Sequence, residues 1–323
     1  MRDKIFQFLT ERGEATPHEI SEHTGFSRQY VQRKLLDLLE SKEVIKIGKP
    51  PLVFYQIIEK PGDSNQEIID DADRRFLEEL FIEITEDGRL LEGVDAFSYW
   101  CQKRKLPIGK TITEYRQTLE KYQQFVDKDG FINGTEKIRT TKGIESLHLD
   151  ALFYLDFYAI EPFGKTLSGQ LLHFAKQGQN RKLSLRLIQL SAQKLYHLIK
   201  ILKVNAVGFI PPTIRRDVQF MTMLEKNLQV DVPLIKLIKV KGEIVVPQKA
   251  LSKIEDRILN ARRSIVTSES KHYDRILLID DAVGSGATLN ETAGKLKMKG
   301  VAKQVFGVAI TGSFKGFEVI SEA

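Results

Sequence analysis

Apolar positions in the C-terminal half of the chain fall into two alternating patterns. Short apolar runs are typical of buried strands, and they occur at residues 206–210, 276–279 and 305–310 and, interrupted by two lysines, at 234–240. Spacing of three and four residues, which is typical of an amphipathic helix, dominates residues 185–203 at Leu187, Ile188, Leu195, Leu198, Ile199 and Leu202. Because strands and helices alternate, residues 150–323 are predicted to form an α/β domain with a parallel sheet and flanking helices.

The helices and strands predicted within the first 60 residues are short. Helices are predicted over residues 3–12, from Pro17 after the cap Thr16, and from the cap Ser27. The third helix carries an apolar face at Val31, Leu35, Leu38 and Leu39. Strand-like alternation follows at residues 44–47 and 53–57, on either side of the turn at 48–51. Three helices and a hairpin in this order predict a winged helix-turn-helix over residues 1–60.

Polar side chains, most of them basic or amide, concentrate at the start of the third helix and in the hairpin. They are Arg28, Gln29, Tyr30, Gln32, Arg33, Lys46 and Lys49. Side chains on such a helix can reach base edges and phosphates in a major groove, and hairpin lysines can reach the sugar–phosphate backbone. We therefore predict double-stranded DNA as a partner. The alternative is a protein–protein contact module, because winged helices also serve in dimerisation and this one is nearly charge-balanced.

Residues 60–65 have the composition of a linker, and residues 66–147 are predicted to form a helical connector. Three segments of it, residues 72–84, 93–106 and 113–126, carry apolar faces. The aromatic residues in these segments could form a base-stacking platform, but aromatic residues at helical spacing more often form a core, which is the interpretation we prefer. They are Phe97, Tyr99, Trp100 and Tyr115.

Composition narrows the class of protein. Apolar residues make up 42% and charged residues 28% of the 323 positions, as in an ordinary globular chain. No apolar stretch reaches the length of a membrane span and the first residues lack a signal-peptide core, so we expect a cytoplasmic protein without a membrane partner. The single cysteine, Cys101, excludes an internal disulfide and a cysteine-cluster zinc site. The net charge of +6 suits nucleic acid and anionic small molecules equally.

Residues 276–290, ILLIDDAVGSGATLN, carry the strongest chemical signal in the chain. A buried strand ends in the adjacent acids Asp280 and Asp281, and a helix is predicted from about residue 289. The loop between them consists of Val283, Gly284, Ser285, Gly286, Ala287 and Thr288. Glycines let backbone N–H groups surround a phosphate, a helix start adds partial positive charge, and the two carboxylates can accept from ribose hydroxyls. The pattern predicts a site for a ribose 5-phosphate, and it matches neither a Walker A loop nor a dinucleotide fingerprint.

This motif resembles the 5-phosphoribosyl-1-pyrophosphate (PRPP) motif of type I phosphoribosyltransferases. Over residues 151–313 the chain further resembles the ComF-type (competence-associated) branch of that family. The matching features follow one another along the chain. After Phe157-Tyr158 come a helix with a basic end at 173–182, a proline turn at 208–216, a basic insertion at 245–266 and finally the PRPP motif.

The resemblance implies a type I phosphoribosyltransferase-like sheet and a set of site roles. Asp280 and Asp281 would be the catalytic acids, and Mg²⁺ would bind near them together with PRPP. The pyrophosphate loop and the mobile hood would supply Pro212, Thr213, Arg215, Arg216, Lys239, Gln248, Arg257 and Asn260. Between Lys236 and Arg263 eight Lys or Arg residues stand against three acids, which suits an anion clamp. The alternatives for this stretch are a solvated basic helix face and a second nucleic-acid patch.

The chain departs from the ComF pattern at two points. It lacks the cysteine zinc site before the domain, and Gly284 stands where many catalytic members have threonine. The two-module plan also resembles the winged-helix purine operon repressor, in which the PRPP-binding domain does not catalyse, although the middle segment has no counterpart there.

Two functions follow as expectations. The first is a DNA-binding regulator whose C-terminal domain binds PRPP or a nucleotide as effector. We expect it to be a homodimer with two winged-helix units. The second is an active transferase that moves the phosphoribosyl group from PRPP to a nitrogenous base with Mg²⁺. The regulator is favoured because a winged helix-turn-helix is fused to the site and because the sequence has no recognisable base-binding pocket.

Overall fold

A computed structural model describes residues 2–41, 43–57, 69–141, 143–212, 216–240 and 254–313. The chain forms two compact units, Met1–Glu67 and Ile68–Ala323. Of the site residues expected from the sequence, Thr213, Arg215 and Gln248 lie outside the described residues, as do the side chains of Lys49 and Arg257.

The first unit combines helices with a small antiparallel sheet. Its elements are α1 (Arg2–Arg12), β1 (Glu14–Ala15), α2 (Pro17–Thr24), α3 (Arg28–Glu40), β2 (Val44–Lys49) and β3 (Leu52–Ile57). The described strands form a three-stranded sheet in the order β1-β3-β2, and β2 and β3 form a hairpin in which Val44 pairs with Ile57. The predicted helices and hairpin strands are therefore confirmed; the two-residue strand β1 is too short to leave an alternation in the sequence.

Capping explains where the helices of the first unit begin. Thr16 and Glu19 form a reciprocal capping box, in which the Thr16 side chain accepts from the Glu19 N–H and the Glu19 carboxylate accepts from the Thr16 N–H. The Ser27 hydroxyl accepts from the N–H of Tyr30. Gly25 ends α2 at φ +73°, a left-handed conformation that glycine adopts without strain. A small core holds these elements together, and its fully buried members include Ile5, Ile20, Val31 and Leu35.

The second unit begins with helices and ends with alternating strands and helices. Its first elements are α4 (Asp71–Leu80), β4 (Ile82–Ile84), β5 (Leu90–Glu92), α5 (Gly93–Arg104), α6 (Ile108–Gln123), β6 (Ile132–Asn133), α7 (Thr135–Thr140), β7 (Ala151–Phe157), β8 (Ala159–Ile160) and β9 (Gly164–Lys165). Its later elements are α8 (Leu167–Gln177), α9 (Arg181–Ile201), β10 (Ala206–Phe209), α10 (Phe220–Asn227), β11 (Leu237–Lys239), α11 (Ile254–Ser264), β12 (Ile265–Thr267), β13 (Tyr273–Val283), α12 (Ala287–Met298) and β14 (Ala302–Gly312).

A mostly parallel sheet lies at the centre of the second unit. Among the described strands it has five members in the order β10-β13-β14-β7-β6, with β6 antiparallel to β7 and the other neighbours parallel. The α/β architecture expected from the alternating pattern is therefore confirmed, as are the strands predicted at 206–210, 276–279 and 305–310. The run at 234–240 does not form a strand of the main sheet: β11 pairs with β12 in a separate antiparallel ribbon, and Leu234 forms an isolated parallel bridge to Val207.

Two hydrophobic cores cover the two faces of this sheet. Ile276 and Leu278 of β13 pack into a core that includes Leu289 and Leu296 of α12, and we call this side the α12 face. Leu277 and Ile279 point the other way, into a core with helices α8, α9 and α10, and we call this side the α8 face.

The segment expected as a helical connector shares the core of the α12 face. Phe97, Trp100 and Tyr115 are 0%, 3% and 3% exposed and pack with Phe163 and the sheet residues, so the core interpretation of these aromatic side chains is confirmed. Tyr99 is instead half-buried and donates to Glu86. The helical pattern predicted for 72–84 ends early, because Phe81 is already extended and 82–84 form a strand. Among the described helices, none combines the length and apolarity that crossing a bilayer requires.

Candidate functional site

The acid pair lies at the carboxyl end of β13, near the middle of the main sheet. The strand continues past the predicted run, so that Asp280 and Asp281 are its eighth and ninth residues and Asp280 pairs in register with Ala309 of β14. Successive side chains of a strand point to opposite faces. The two carboxylates are therefore adjacent in sequence but meet different neighbours. In parallel α/β sheets this edge is where ligands bind.

Asp281 is held by a lysine of α8. The Nζ atom of Lys176 lies 2.9 Å from Oδ1 and 2.8 Å from Oδ2 of Asp281, and the two side chains are 25% and 16% exposed. Lys176 stands in the last turn of α8, whose buried Leu171, Leu172 and Ala175 fix that helix on the α8 face. The basic end of this helix is visible in the sequence, but no local pattern marks Lys176 as a site residue.

Asp280 is half-buried between charges of both signs. Burial, followed by repulsion from the Asp281 carboxylate, raises the pKa of Asp280 to about 7, against the opposing effect of Lys176. Oδ1 of Asp280 accepts from the backbone N–H of Asp281 at 2.8 Å. Lys239 of β11 also acts on Asp280 through its charge, while burial lowers the pKa of Lys239 and its Nζ donates to Oγ of Ser264 at 2.7 Å. The expected hood residue Lys239 is thus close enough to Asp280 for their charges to interact, although its hydrogen bond is to Ser264.

The small-residue loop leads directly into α12. Val283, Ser285 and Ala287 are 3%, 8% and 2% exposed, so the segment is held close to the protein rather than projecting into solvent. Gly286 takes φ +78° as the residue before the helix, and its carbonyl accepts from the N–H of Asn290 at 2.9 Å. The N–H of Ala287 donates to Oγ of Ser285 at 3.4 Å, and the partial positive charge of a helix start makes this end suited to an anion. Gly284 and Thr288 are half-buried at the two ends of the loop.

Helix α7 of the middle segment packs against this loop. A Cβ atom on Gly286 would lie 2.6 Å from Cγ1 and 2.7 Å from Cδ1 of Ile138, which is fully buried. The neighbouring Lys137 donates from Nζ to the carbonyl of Ser313, just after β14, and burial lowers the pKa of Lys137 to about 8. A further half-buried lysine therefore lies near the same edge of the sheet. Its local sequence, TEKIRT, gives no sign of this position because the contact joins residues 176 positions apart.

The residues expected in the pyrophosphate loop and the hood are only partly described. Arg216 donates to the backbone carbonyl of Lys176 and, at 3.4 Å, to Oε1 of Gln177, so it lies beside the lysine that holds Asp281. Pro212 is exposed. Asn260 is half-buried in α11, a helix tied to α12 by the 2.8 Å contact between Nε of Arg262 and Oε2 of Glu291.

The donor set around the acid pair does not suit a divalent cation held by Asp281. Both of its carboxylate oxygens already contact the Lys176 ammonium group. Within the described parts of the chain, no group of three or more His, Cys, Asp and Glu side chains could hold a metal ion. A Mg²⁺ ion commonly uses one or two carboxylates in addition to ligand phosphates, and here one of the two is engaged by a lysine.

In the first unit, the expected DNA contacts lie on one helix and one hairpin strand. Arg28, Gln29, Gln32 and Arg33 are exposed on α3, and Lys46 is exposed on β2. Tyr30 is half-buried, with its ring 5.0 Å from that of Phe26. Arg28 contacts Nδ1 of His18 at 2.9 Å, and the Arg33 guanidinium lies 5.6 Å from the centre of the Tyr30 ring.

Asparagine at position 280 is expected to stabilise the folded protein at alkaline pH. An acid whose pKa rises from its usual 3.8 to about 7 on folding binds its proton more tightly in the folded state, so the free energy of unfolding falls between about pH 4 and pH 7. Asp280→Asn removes this cost and should raise the free energy of unfolding above pH 7 by roughly 1–4 kcal/mol, the upper value being three pKa units at about 1.4 kcal/mol each. Urea unfolding at pH 4.5 and pH 8 measures the difference. The matched control is Asp274→Asn, an exposed acid on the same strand, and an equal gain there at pH 8 would contradict the explanation.

No protein-family model matches this chain, and a search of curated proteins finds no significant match.

Proposed function

We propose that the protein is a DNA-binding regulator whose second unit, Ile68–Ala323, binds PRPP or a related nucleotide as its effector. The observation that carries the proposal is the acid pair followed by a closely packed glycine loop and a helix start, all at the carboxyl edge of a parallel sheet. A phosphorylated ribose needs hydrogen-bond acceptors at one end and anion donors at the other, and this edge offers both.

Each part of the effector has a group of matching chemistry. The N–H groups of the loop and of the α12 start suit the 5-phosphate, and the oxygens of Asp280 and Asp281 suit the ribose hydroxyls. Lys176, Lys239 and Arg216 provide cations around the acids for a pyrophosphate group. Further residues are proposed to belong to the pyrophosphate loop and the hood. They are Thr213, Arg215, Gln248, Arg257 and Asn260.

The first unit is proposed to bind double-stranded DNA as a winged helix-turn-helix. Support comes from its order of helices and hairpin, from the exposed basic and amide side chains on α3, and from Lys46 on the hairpin. A homodimer would present two such helices to two half-sites, which is why we propose a dimer as the DNA-binding species.

Arg33→Ala is expected to weaken duplex binding and to lower the salt dependence of that binding by about one unit of slope, because one phosphate contact is lost. Fluorescence anisotropy with a labelled duplex at several salt concentrations measures the slope. Arg12→Ala is the matched control, since Arg12 lies on α1 and pairs with Glu19 at 3.1 Å. A parent protein whose affinity does not respond to salt would rule out DNA as a partner.

The second candidate function is an active phosphoribosyltransferase. It is favoured by the position of Asp280 and Asp281, because two carboxylates beside the ribose would stabilise positive charge developing on the sugar ring. Incubating the full chain with PRPP, Mg²⁺ and a panel of nitrogenous bases tests it. Pyrophosphate release with one base establishes the transferase, whereas PRPP binding without turnover supports the regulator. A protein that binds no PRPP contradicts the transferase, and one that binds neither PRPP nor a nucleotide contradicts the regulator as well.

A further inference from the structure

The contact between Lys176 and Asp281 joins two elements that are far apart in the chain. Nζ of Lys176 is within 3 Å of both carboxylate oxygens, at 2.9 and 2.8 Å. An ammonium group has three N–H donors, and contacts with the two oxygens of one carboxylate engage at most two of them. The pair is three-quarters or more buried on each side, so the lysine is a defined partner of the acid rather than a surface neighbour.

The charges around the acids are balanced by lysines from both faces of the sheet. Lys176 reaches Asp281 from the α8 face, while Lys239 belongs to the ribbon that packs on the α12 face and acts on Asp280. Two adjacent carboxylates without cations would repel a ligand that carries several phosphate charges. Divalent cations usually remove such repulsion at phosphate sites, and here two side-chain ammonium groups stand in positions to do so.

Lys176 also lies next to the proposed pyrophosphate segment. Arg216 donates to the backbone carbonyl of Lys176 and to the side chain of Gln177. The side chain of Lys176 therefore contacts the acid proposed for the ribose, and its backbone contacts the arginine proposed for the pyrophosphate. A divalent cation bound at this edge would supply positive charge between the ribose and the pyrophosphate, and the Lys176 ammonium group can supply it beside Asp281.

We propose that the Lys176 ammonium group takes the place of the divalent cation on Asp281, so that the site binds its polyphosphorylated ribose without Mg²⁺. The inference rests on the proposed function of this site and adds a specific chemistry to it. Asp281 keeps its lysine, the ribose hydroxyls donate to the remaining carboxylate oxygen lone pairs, and the third N–H of Lys176 meets a pyrophosphate oxygen.

The test is calorimetric titration of the full chain with PRPP, once in EDTA and once with excess Mg²⁺. The parent protein is expected to bind in EDTA, with an affinity within about threefold of that in Mg²⁺. Lys176→Met keeps the length of the apolar stem but removes the ammonium group and its charge. It is expected to lose about tenfold or more in EDTA, which is one charged contact or about 1.4 kcal/mol, and to recover when Mg²⁺ is added, because Asp281 is then free to share the ion with the ligand.

A matched control is available within the same unit. Lys297→Met breaks the 2.7 Å pair between Lys297 and Asp150, whose side chains are each 29% exposed, at the start of β7 and therefore at the opposite edge of the sheet. It should leave the Mg²⁺ dependence of PRPP binding unchanged. Thermal unfolding of both variants checks that they fold, and rescue by Mg²⁺ is a response that simple destabilisation does not produce.

The outcomes separate this inference from the function on which it rests. A parent protein that binds PRPP only with Mg²⁺ overturns the role of Lys176 and leaves the effector proposal standing. Unchanged affinity of Lys176→Met in EDTA overturns it as well. Absence of PRPP binding in both buffers overturns this inference together with PRPP as the proposed effector.

Discussion

Replacing both Asp280 and Asp281 by asparagine is expected to lower the affinity for ribose 5-phosphate by about 100-fold or more. The carboxylates would accept charge-assisted hydrogen bonds from the two ribose hydroxyls, and each such bond is worth about 1.5–3 kcal/mol. Losing two therefore corresponds to roughly two to four powers of ten in affinity. Asparagine keeps the size and one acceptor oxygen of each side chain, so the fold of β13 should persist.

The same double variant should retain inorganic phosphate binding within about threefold, because the phosphate would be held by backbone N–H groups of the loop and of α12. Calorimetry with ribose 5-phosphate and ³¹P line broadening with inorganic phosphate measure the two affinities. Asp274→Asn, at the exposed start of the same strand, serves as the matched control. Unchanged affinity for ribose 5-phosphate would remove the acid pair from the site. An equal loss for both ligands would mean that the acids support the loop rather than the sugar.

Gly286→Ala is expected to destabilise the protein by roughly 2–5 kcal/mol and to abolish phosphate binding by the loop. Its φ of +78° costs a non-glycine residue about 1 kcal/mol or more. The added methyl group would lie 2.6 Å from Cγ1 of Ile138, and this fully buried side chain has little room to move, which adds about 1–3 kcal/mol of overpacking. Thermal and urea unfolding measure the loss of stability.

Two further variants separate the steric part of this effect from the backbone part. Gly300→Ala also has a positive φ, +68°, but a Cβ there meets nothing within 4 Å, so it should cost only about 1 kcal/mol. Ile138→Ala removes the atoms that would collide, so Gly286→Ala should cost much less in that background than in the parent protein. Additive losses in this double-mutant cycle would show that the packing of α7 on the loop does not determine the effect.

The local part of the candidate site could be predicted from the sequence, because strand, acids, loop and helix are consecutive. Apolar residues 276–279, the two acids and the glycines specify their own conformations over fewer than 20 positions. The predicted strand was short by several residues at each end, since Tyr273 and Val283 continue the pairing with β14 although polar residues interrupt the apolar run.

The long-range part of the site could not be predicted in this way. Lys176 meets Asp281 across 105 positions and Lys137 meets Ser313 across 176, and nothing in the local pattern of either lysine marks it as a site residue. Strand β7 was missed because its sequence, ALFYLDF, places aromatic and apolar residues on both faces and resembles the entry to a helix as much as a strand. The strand at 82–84 was assigned to a helix because its apolar residues continue the spacing of α4 beyond the point where Phe81 becomes extended.

A crystal structure of the full chain with PRPP bound is the most direct measurement of where the effector lies. We expect the 5-phosphate within hydrogen-bond distance of the N–H groups of residues 284–288, the ribose hydroxyls on Asp280 and Asp281, and the pyrophosphate near Lys176. PRPP bound at another place, with this loop and acid pair untouched, would contradict the account of the second unit.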